Sequence, residues 1–208
     1  MAGTMPHAVF VETDWDGAGG VAAYAAELPG CASFAATDDD AVAAIPRRAG
    51  EFVAWLRAQG EQAPSFVGDN WYEVERAAAG ERDGHRRRAA FSLDELPPSD
   101  DEFARWMRWL ELAREELAEA MDAATDLGHA AARLAGIERQ DATFVRELRG
   151  PASPTEGDPV ERLYAARDAL TDAFEAAGAG TDGVRRMLRL AIADDLHAAA
   201  VLRDGATS

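Results

Sequence analysis

The sequence predicts an α+β protein in which a small antiparallel sheet with one main helix precedes a four-helix bundle. Two observations indicate this. Short runs of alternating apolar and polar residues, separated by Gly- and Pro-containing turns, fill residues 8–36 and are typical of β-hairpins. After Ser99, in contrast, apolar residues recur at helical spacing in four long segments with Pro- and Gly-rich breaks between them.

The first region is predicted to contain a three- to four-stranded sheet and one helix. AVFVETD, VAAYAAEL and ASFAA are the candidate strands in residues 8–36. Thr37 is expected to cap the helix, because its hydroxyl can accept a backbone N–H and three aspartates follow at the positive end of the helix dipole. We expect the helix to run to about Gln59, where Gly60 ends it, and residues 71–77 to form a fourth strand.

These patterns divide the chain into two predicted domains. Residues 1–78 form the α+β domain and residues 99–208 the four-helix bundle. Residues 79–98 are predicted to be a linker, because Gly, Arg, Asp and Pro dominate this stretch. The basic run Arg86–Arg88 falls in the linker and is expected to be solvated.

The composition excludes several functional classes. A net charge of −17 repels nucleic acid and anionic membranes, and no apolar run approaches the roughly 18 residues of a transmembrane helix. The chain has no lysine, which excludes Schiff-base chemistry and a P-loop. Cys31 is the only cysteine, so no intrachain disulfide forms, and the start of the chain lacks signal-peptide features. We therefore expect a cytoplasmic protein that binds neither nucleic acid nor membranes.

Two carboxylates in the last predicted helix are the main candidates for a functional site. This helix, Thr181 to Asp204, carries an apolar face. Asp195 falls near the middle of that face and Asp194 toward its edge. A carboxylate inside a helix bundle is costly unless it has a partner, a metal or water. These side chains are therefore expected to define the chemistry of the bundle.

The first region resembles the HicB-like domain over roughly residues 8–78. The resemblance rests on the order strand, Gly-rich turn, strand, PGC at 29–31, strand, acidic-capped helix and strand. It implies a small α+β fold with a partial RNase-H-like sheet and no nuclease residues. HicB-like domains of toxin–antitoxin pairs bind a small toxin, so one alternative is an antitoxin-like protein whose acidic surface suits a small basic partner.

Residues 99–204 resemble the DinB/YfiT-like four-helix bundle, through ARLAGIERQDATFVREL in the second helix and RRMLRLAIADDLHAAAVL in the last. The fusion of the two domains looks like a bacterial arrangement. Such bundles hold a divalent metal with three histidines, one on helix two and two at i, i+4 on helix four. The resemblance assigns these positions to Arg133, Asp194 and Ala198, none of which is histidine. Arginine cannot be deprotonated to coordinate a metal.

We therefore predict that a charged pair of Arg133 and Asp194 replaces the metal as the polar centre of the bundle, with Asp195 or Glu138 nearby. Breaking such a pair on one side costs about 3–5 kcal/mol if it is buried.

A one-residue difference in the register of the last helix leaves an alternative open. His197 lies about 100° around the helix from the expected ligand position. His129, Asp194 or Asp195, and His197 would then hold zinc or nickel. This alternative predicts a metal-dependent DinB/YfiT-type enzyme, such as a thiol transferase or a hydrolase.

The leading prediction is a non-enzymatic binding or regulatory protein with no cofactor and a degenerate DinB-like metal site. Bundles of this resemblance often pair through their helices, so a homodimer is one expected assembly. The metal-dependent enzyme and the antitoxin-like protein are the two alternatives.

Overall fold

The structure is a computed structural model that describes residues 7–63, 70–82, 85–124, 126–152 and 156–206. The chain divides into two compact units, Met1–Leu96 and Pro97–Ser208. The described part of the first unit contains a sheet and one long helix, and that of the second contains four long helices. The α+β class predicted from the sequence is confirmed. No helix in the described residues is long and apolar enough to span a membrane.

The main sheet of the first unit is mixed. Its elements are β1 (His7–Thr13), β2 (Val21–Ala25), β3 (Ala32–Ala35), α1 (Asp38–Ala58) and β4 (Trp71–Ala78). The strand order is β3-β2-β1-β4; β2 is antiparallel to both neighbours, whereas β4 is parallel to β1. The prediction of an antiparallel sheet was therefore wrong at β4. Hairpins reverse the chain, but the helical crossover through α1 returns it in the direction of β3, which is also that of β1.

The start and end of α1 follow from local chemistry. Thr37 Oγ1 accepts a hydrogen bond from the Asp40 backbone N–H at 3.2 Å, and three aspartates occupy the first turn. Gly60 follows the helix with a φ of +80°, a conformation that favours glycine. One face of α1 is buried: Ala41, Ile45, Ala49, Phe52, Val53 and Leu56. Their spacing of three and four residues places them on the side that packs on the sheet.

The segment that we predicted as a linker, residues 79–98, belongs to the first unit as far as Leu96. It contains a two-stranded antiparallel ladder, β5 (Gly80–Arg82) with β6 (His85–Arg87), followed by a 3₁₀ turn at Ser92–Glu95. Phe91 is 1% exposed, and its ring stacks on Phe10 of β1 with 4.6 Å between centroids. The polar composition of residues 79–98 therefore concealed one large aromatic residue that packs in the core of the first unit.

A buried carboxylate, Glu12 of β1, holds this segment on the sheet. Its side chain accepts hydrogen bonds from Tyr24 Oη at 2.8 Å, from Arg88 Nε at 3.1 Å and from the Ala89 backbone N–H at 2.6 Å. The Arg88 guanidinium also lies 5.3 Å from the Trp15 ring centroid. Arg88 was expected to be solvated, but its side chain is largely buried. The guanidinium is held there because it compensates the buried charge of Glu12.

The second unit contains four helices: α2 (Asp100–Ala123), α3 (Ala131–Glu147), α4 (Pro159–Ala177) and α5 (Val184–Ala206). Ser99 and Glu102 form a capping box at the start of α2, with Ser99 Oγ accepting from the Glu102 backbone N–H at 3.3 Å. Pro159 occupies the first turn of α4, behind Asp158 as the N-cap.

Ion pairs between the helices define their directions. Glu102 and Glu116 of α2 pair with Arg185 and Arg203 of α5, so α2 and α5 run parallel. Glu138 of α3 pairs with Arg162 of α4. Further along both helices, Asp141 of α3 lies beside Arg167 of α4, so these two helices also run parallel. The pair of Glu147 with Arg186 and the hydrogen bond from Gln140 to Asp194 show that α3 is antiparallel to α5.

Parallel neighbours such as α3 and α4 require a connection that returns along the length of the helices. The 11 residues 148–158 between α3 and α4 can span about 36 Å when extended, more than the roughly 25 Å length of α3.

Replacing Phe91 by alanine tests whether residues 89–91 are part of the first unit. The substitution removes a buried ring that packs on Phe10, so we expect the free energy of unfolding of this unit to fall by about 3–5 kcal/mol. Urea denaturation followed by tryptophan fluorescence measures the change. Leu96→Ala is the control, because Leu96 is 58% exposed and should matter little. Equal effects of the two substitutions would contradict the assignment.

Candidate functional site: a buried charged cluster

Each helix of the second unit contributes to one buried charged cluster. It comprises Arg114 of α2, Asp141 of α3, Arg167 of α4, and Asp194 and Asp195 of α5. Arg167 Nη2 donates a hydrogen bond to Asp195 Oδ1, and both side chains are 3% exposed. Asp141 Oδ2 lies 4.0 Å from Arg167 Nε, which is too long for a hydrogen bond. The closest contact in the charged cluster is therefore between α4 and α5.

Neutral side chains extend the charged cluster. Arg114 Nη1 donates to Thr171 Oγ1, and that hydroxyl donates to the backbone carbonyl of Arg167 at 3.1 Å. Gln140 Nε2 donates to Asp194 Oδ2 at 2.8 Å. These bonds tie α2 to α4 and α3 to α5, so each helix is joined to another through a polar contact in the interior.

Burial shifts the protonation of the carboxyl groups. It raises the pKa of Asp141 to about 7; the Asp195 charge acts in the same direction, while Arg114 and Arg167 oppose it. Burial also raises the pKa of Asp195, against the opposing charges of Arg167 and Arg114. Asp195 accepts a direct hydrogen bond from Arg167, which favours its ionised form. We therefore expect Asp141 to carry the proton when the two compete.

The guanidinium of Arg114 is affected by the same environment. Burial lowers the pKa of Arg114, while the charges of Asp141 and Asp195 raise it. Arginine nonetheless stays protonated across the physiological range, because its ordinary pKa is above about 12. The charged cluster therefore contains two permanent positive charges.

The structure brings some of the predicted site residues together. Asp194 and Asp195 are 8% and 2% exposed, as their position on the apolar face indicated, and Ala198 is fully buried. Arg133 and His197 are half-buried. The predicted pair of Arg133 with Asp194 stays a prediction, and Gln140 is the partner of Asp194 that the geometry defines.

Glu138 contacts a residue of the neighbouring helix α4, and the role foreseen for His129 stays a prediction. Glu138 accepts hydrogen bonds from Arg162 Nε at 2.9 Å and from Arg162 Nη2 at 3.3 Å, so it joins α3 to α4 at the edge of the unit. The side chain of His129 is outside the described residues, and the alternative metal site that includes it stays untested.

Sequence reasoning missed Asp141 and Arg167, although a signal for both was present. Asp141 follows Ile137 by four residues and precedes Phe144 by three, so it lies on the apolar face of α3. Arg167 has the same relation to Leu163 and Leu170 of α4. The rule that singled out Asp195, a charge in the middle of an apolar helix face, finds both.

Two of the three residues at the resemblance-derived positions cannot coordinate a metal ion. Arg133 cannot coordinate, and Ala198 has no ligand atom. Within the described ranges, no group of three or more His, Cys, Asp or Glu side chains is placed to hold a metal. Asp195, which offers suitable oxygens, already binds a guanidinium.

Comparison of the chain with family models, with curated proteins and with solved structures gave no match in any of the three. Its function is therefore inferred from the contacts of the charged cluster and from the sequence motifs.

Replacing Arg167 by methionine tests the energetic importance of the charged cluster. Asp195 would lose its partner while staying buried, so we expect the free energy of unfolding to fall by about 3–5 kcal/mol. The double variant Arg167→Met, Asp195→Leu should recover most of this loss, because no buried charge is left without compensation. Urea denaturation of the three chains measures both effects. Arg162→Met is the matched control on the same helix, and a loss as large as that of Arg167→Met would contradict the interpretation.

The pKa of Asp141 predicts a pH dependence of stability. Its folded pKa is raised above the unfolded value of 3.8 to about 7, so the folded chain binds more protons between these values. This contribution to stability is present at low pH and is lost as pH rises toward 7. Asp141→Asn should abolish it, so the free energy of unfolding of the natural chain should fall relative to that of the variant by on the order of 2 kcal/mol from pH 5 to pH 8. Urea denaturation at several pH values checks this, and a constant difference would contradict it.

Proposed function

We propose that the chain is a non-enzymatic, cytoplasmic binding or regulatory protein, in which a HicB-like α+β domain precedes a DinB-like bundle with a degenerate metal site. The charged cluster takes the place of the metal as the polar centre of the bundle. The observation that carries this proposal is the buried hydrogen bond between Arg167 and Asp195.

The chemistry of this contact explains the proposal. An open metal site needs neutral imidazoles or ionised carboxylates whose lone pairs are free to coordinate. Here a lone pair of Asp195 is engaged by a guanidinium that keeps its charge at any physiological pH. Arg114 adds a second positive charge that faces the same carboxylates. A divalent cation would have to compete with two guanidinium groups for these carboxylates.

The order of elements is compatible with both resemblances. In the described residues the first unit has three strands, a helix and a fourth strand, followed by the short ladder of β5 and β6, and the second unit has four long helices. A protein of this kind would act through a partner, either a second copy of the chain or a small basic protein. The net charge of −17 favours a basic partner through electrostatic complementarity.

Metal analysis of the purified chain is the direct test. After dialysis without chelator, and again after incubation with zinc and nickel, we expect no stoichiometric metal by mass spectrometry of the elements. We also expect no change in the melting temperature on addition of a chelator, because the charged cluster does not depend on an ion.

The outcome that contradicts the proposal is one bound zinc or nickel per chain. If that metal were lost in both Asp194→Asn and His197→Ala, the metal-dependent enzyme of the DinB/YfiT class would become the better explanation. Asp168→Asn is the control, because it makes the same change of charge at an exposed position and should leave the metal content unchanged.

A further inference from the structure

Asp141 differs from Asp194 and Asp195 because no residue in the described part of the chain donates a hydrogen bond to its buried side chain. Its side chain is 2% exposed, and in the described part of the chain its nearest charged contact is Arg167 Nε at 4.0 Å. Asp194 and Asp195, in contrast, accept hydrogen bonds from Gln140 and Arg167. A carboxylate left in this state would be costly, whereas a protonated carboxyl group is tolerated.

The facing arginines have donors to spare. Nε and Nη1 of Arg167 are buried and, among the described residues, donate to no acceptor. The same holds for Nε and Nη2 of Arg114. Arg167 Nε would reach hydrogen-bond distance of Asp141 Oδ2 if the two approached by about 1 Å, a change within the range of side-chain torsions. The donor Arg167 Nε and the acceptor Asp141 Oδ2 are therefore neighbours that do not form a hydrogen bond with each other.

The charged groups around Asp141 come from three other helices. Arg114 faces it from α2, Arg167 from α4, and Asp194 and Asp195 from α5. The arginines favour the ionised form of Asp141 and the two aspartates oppose it. Because both arginines are permanently charged, the net charge of the charged cluster changes only when a carboxyl group gains or loses a proton.

We propose that Asp141 is a proton-controlled contact at the centre of the helical unit. When protonated, it leaves Arg167 bound to Asp195 alone. When it releases the proton to solvent, the carboxylate draws Arg167 Nε into a hydrogen bond, and one guanidinium then joins α3, α4 and α5. Burial, which raises the pKa of Asp141 to about 7, places this change in the physiological range. The inference goes beyond the proposed function and does not depend on it.

Nuclear magnetic resonance of the full chain from pH 5 to pH 9 tests this directly. The carbon-13 chemical shift of the Asp141 carboxyl carbon reports the protonation state of that carboxyl group. The nitrogen-15 chemical shift of Arg167 Nε reports a change in the hydrogen bonding of its N–H. We expect the carboxyl signal to titrate with a midpoint near 7 and the Nε–H signal of Arg167 to shift with the same midpoint. Both readouts come from the natural chain, so the test does not require any variant to fold.

Two substitutions separate this contact from other titrations. Asp141→Asn keeps the shape of the side chain without an ionisable group, and the midpoint near 7 should disappear from the Arg167 signal. Asp168→Asn removes an exposed carboxylate next to Arg167 in sequence and should leave the midpoint unchanged. An Asp141 carboxyl that is already ionised at pH 5 would overturn the proposal. So would an Arg167 signal that does not move while Asp141 titrates, or one that keeps its midpoint in Asp141→Asn.

Discussion

The buried ion pair of Arg167 and Asp195 is the contact on which the helical unit depends. Both groups lose their hydration when the helices pack, and their mutual hydrogen bond offsets part of that cost. Because the pair is 3% exposed on each side, it cannot exchange its partner for water without separating α4 from α5. The apolar faces supply most of the packing energy, whereas this pair fixes which faces meet.

The first unit solves a similar problem in a different way. Glu12 is as deeply buried as Asp195, but it has three donors: a phenol, a guanidinium and a backbone N–H. These three hydrogen bonds offset the cost of burying the side chain of Glu12. Glu12 thereby connects the sheet to residues 88–89. The helical unit has fewer donors within reach of Asp141, so its interior retains a group that can titrate.

Local signals were read correctly from the sequence, and distant contacts were not. The cap at Thr37 depends on residues within four positions, so the sequence predicts it directly. The direction of β4 depends on the crossover through α1, and the burial of Arg88 depends on Glu12, 76 residues away. For the charged cluster, Asp195 was found from the face it occupies. The same rule finds Arg167, but its pairing with Asp195 depends on which helices meet, and periodicity within one helix does not contain that information.

Charge balance connects the proposed absence of a metal with the proton on Asp141. With Asp141 protonated, the formal charges of the two arginines and of the other two aspartates in the charged cluster sum to zero. Ionisation of Asp141 adds one negative charge to an interior that cannot screen it well. A divalent cation in a cluster that already has two arginines would add two positive charges, which the same interior would screen equally poorly. The arginines thus account for both properties: they make a metal unfavourable, and they leave a single proton as the charge that the interior can still exchange.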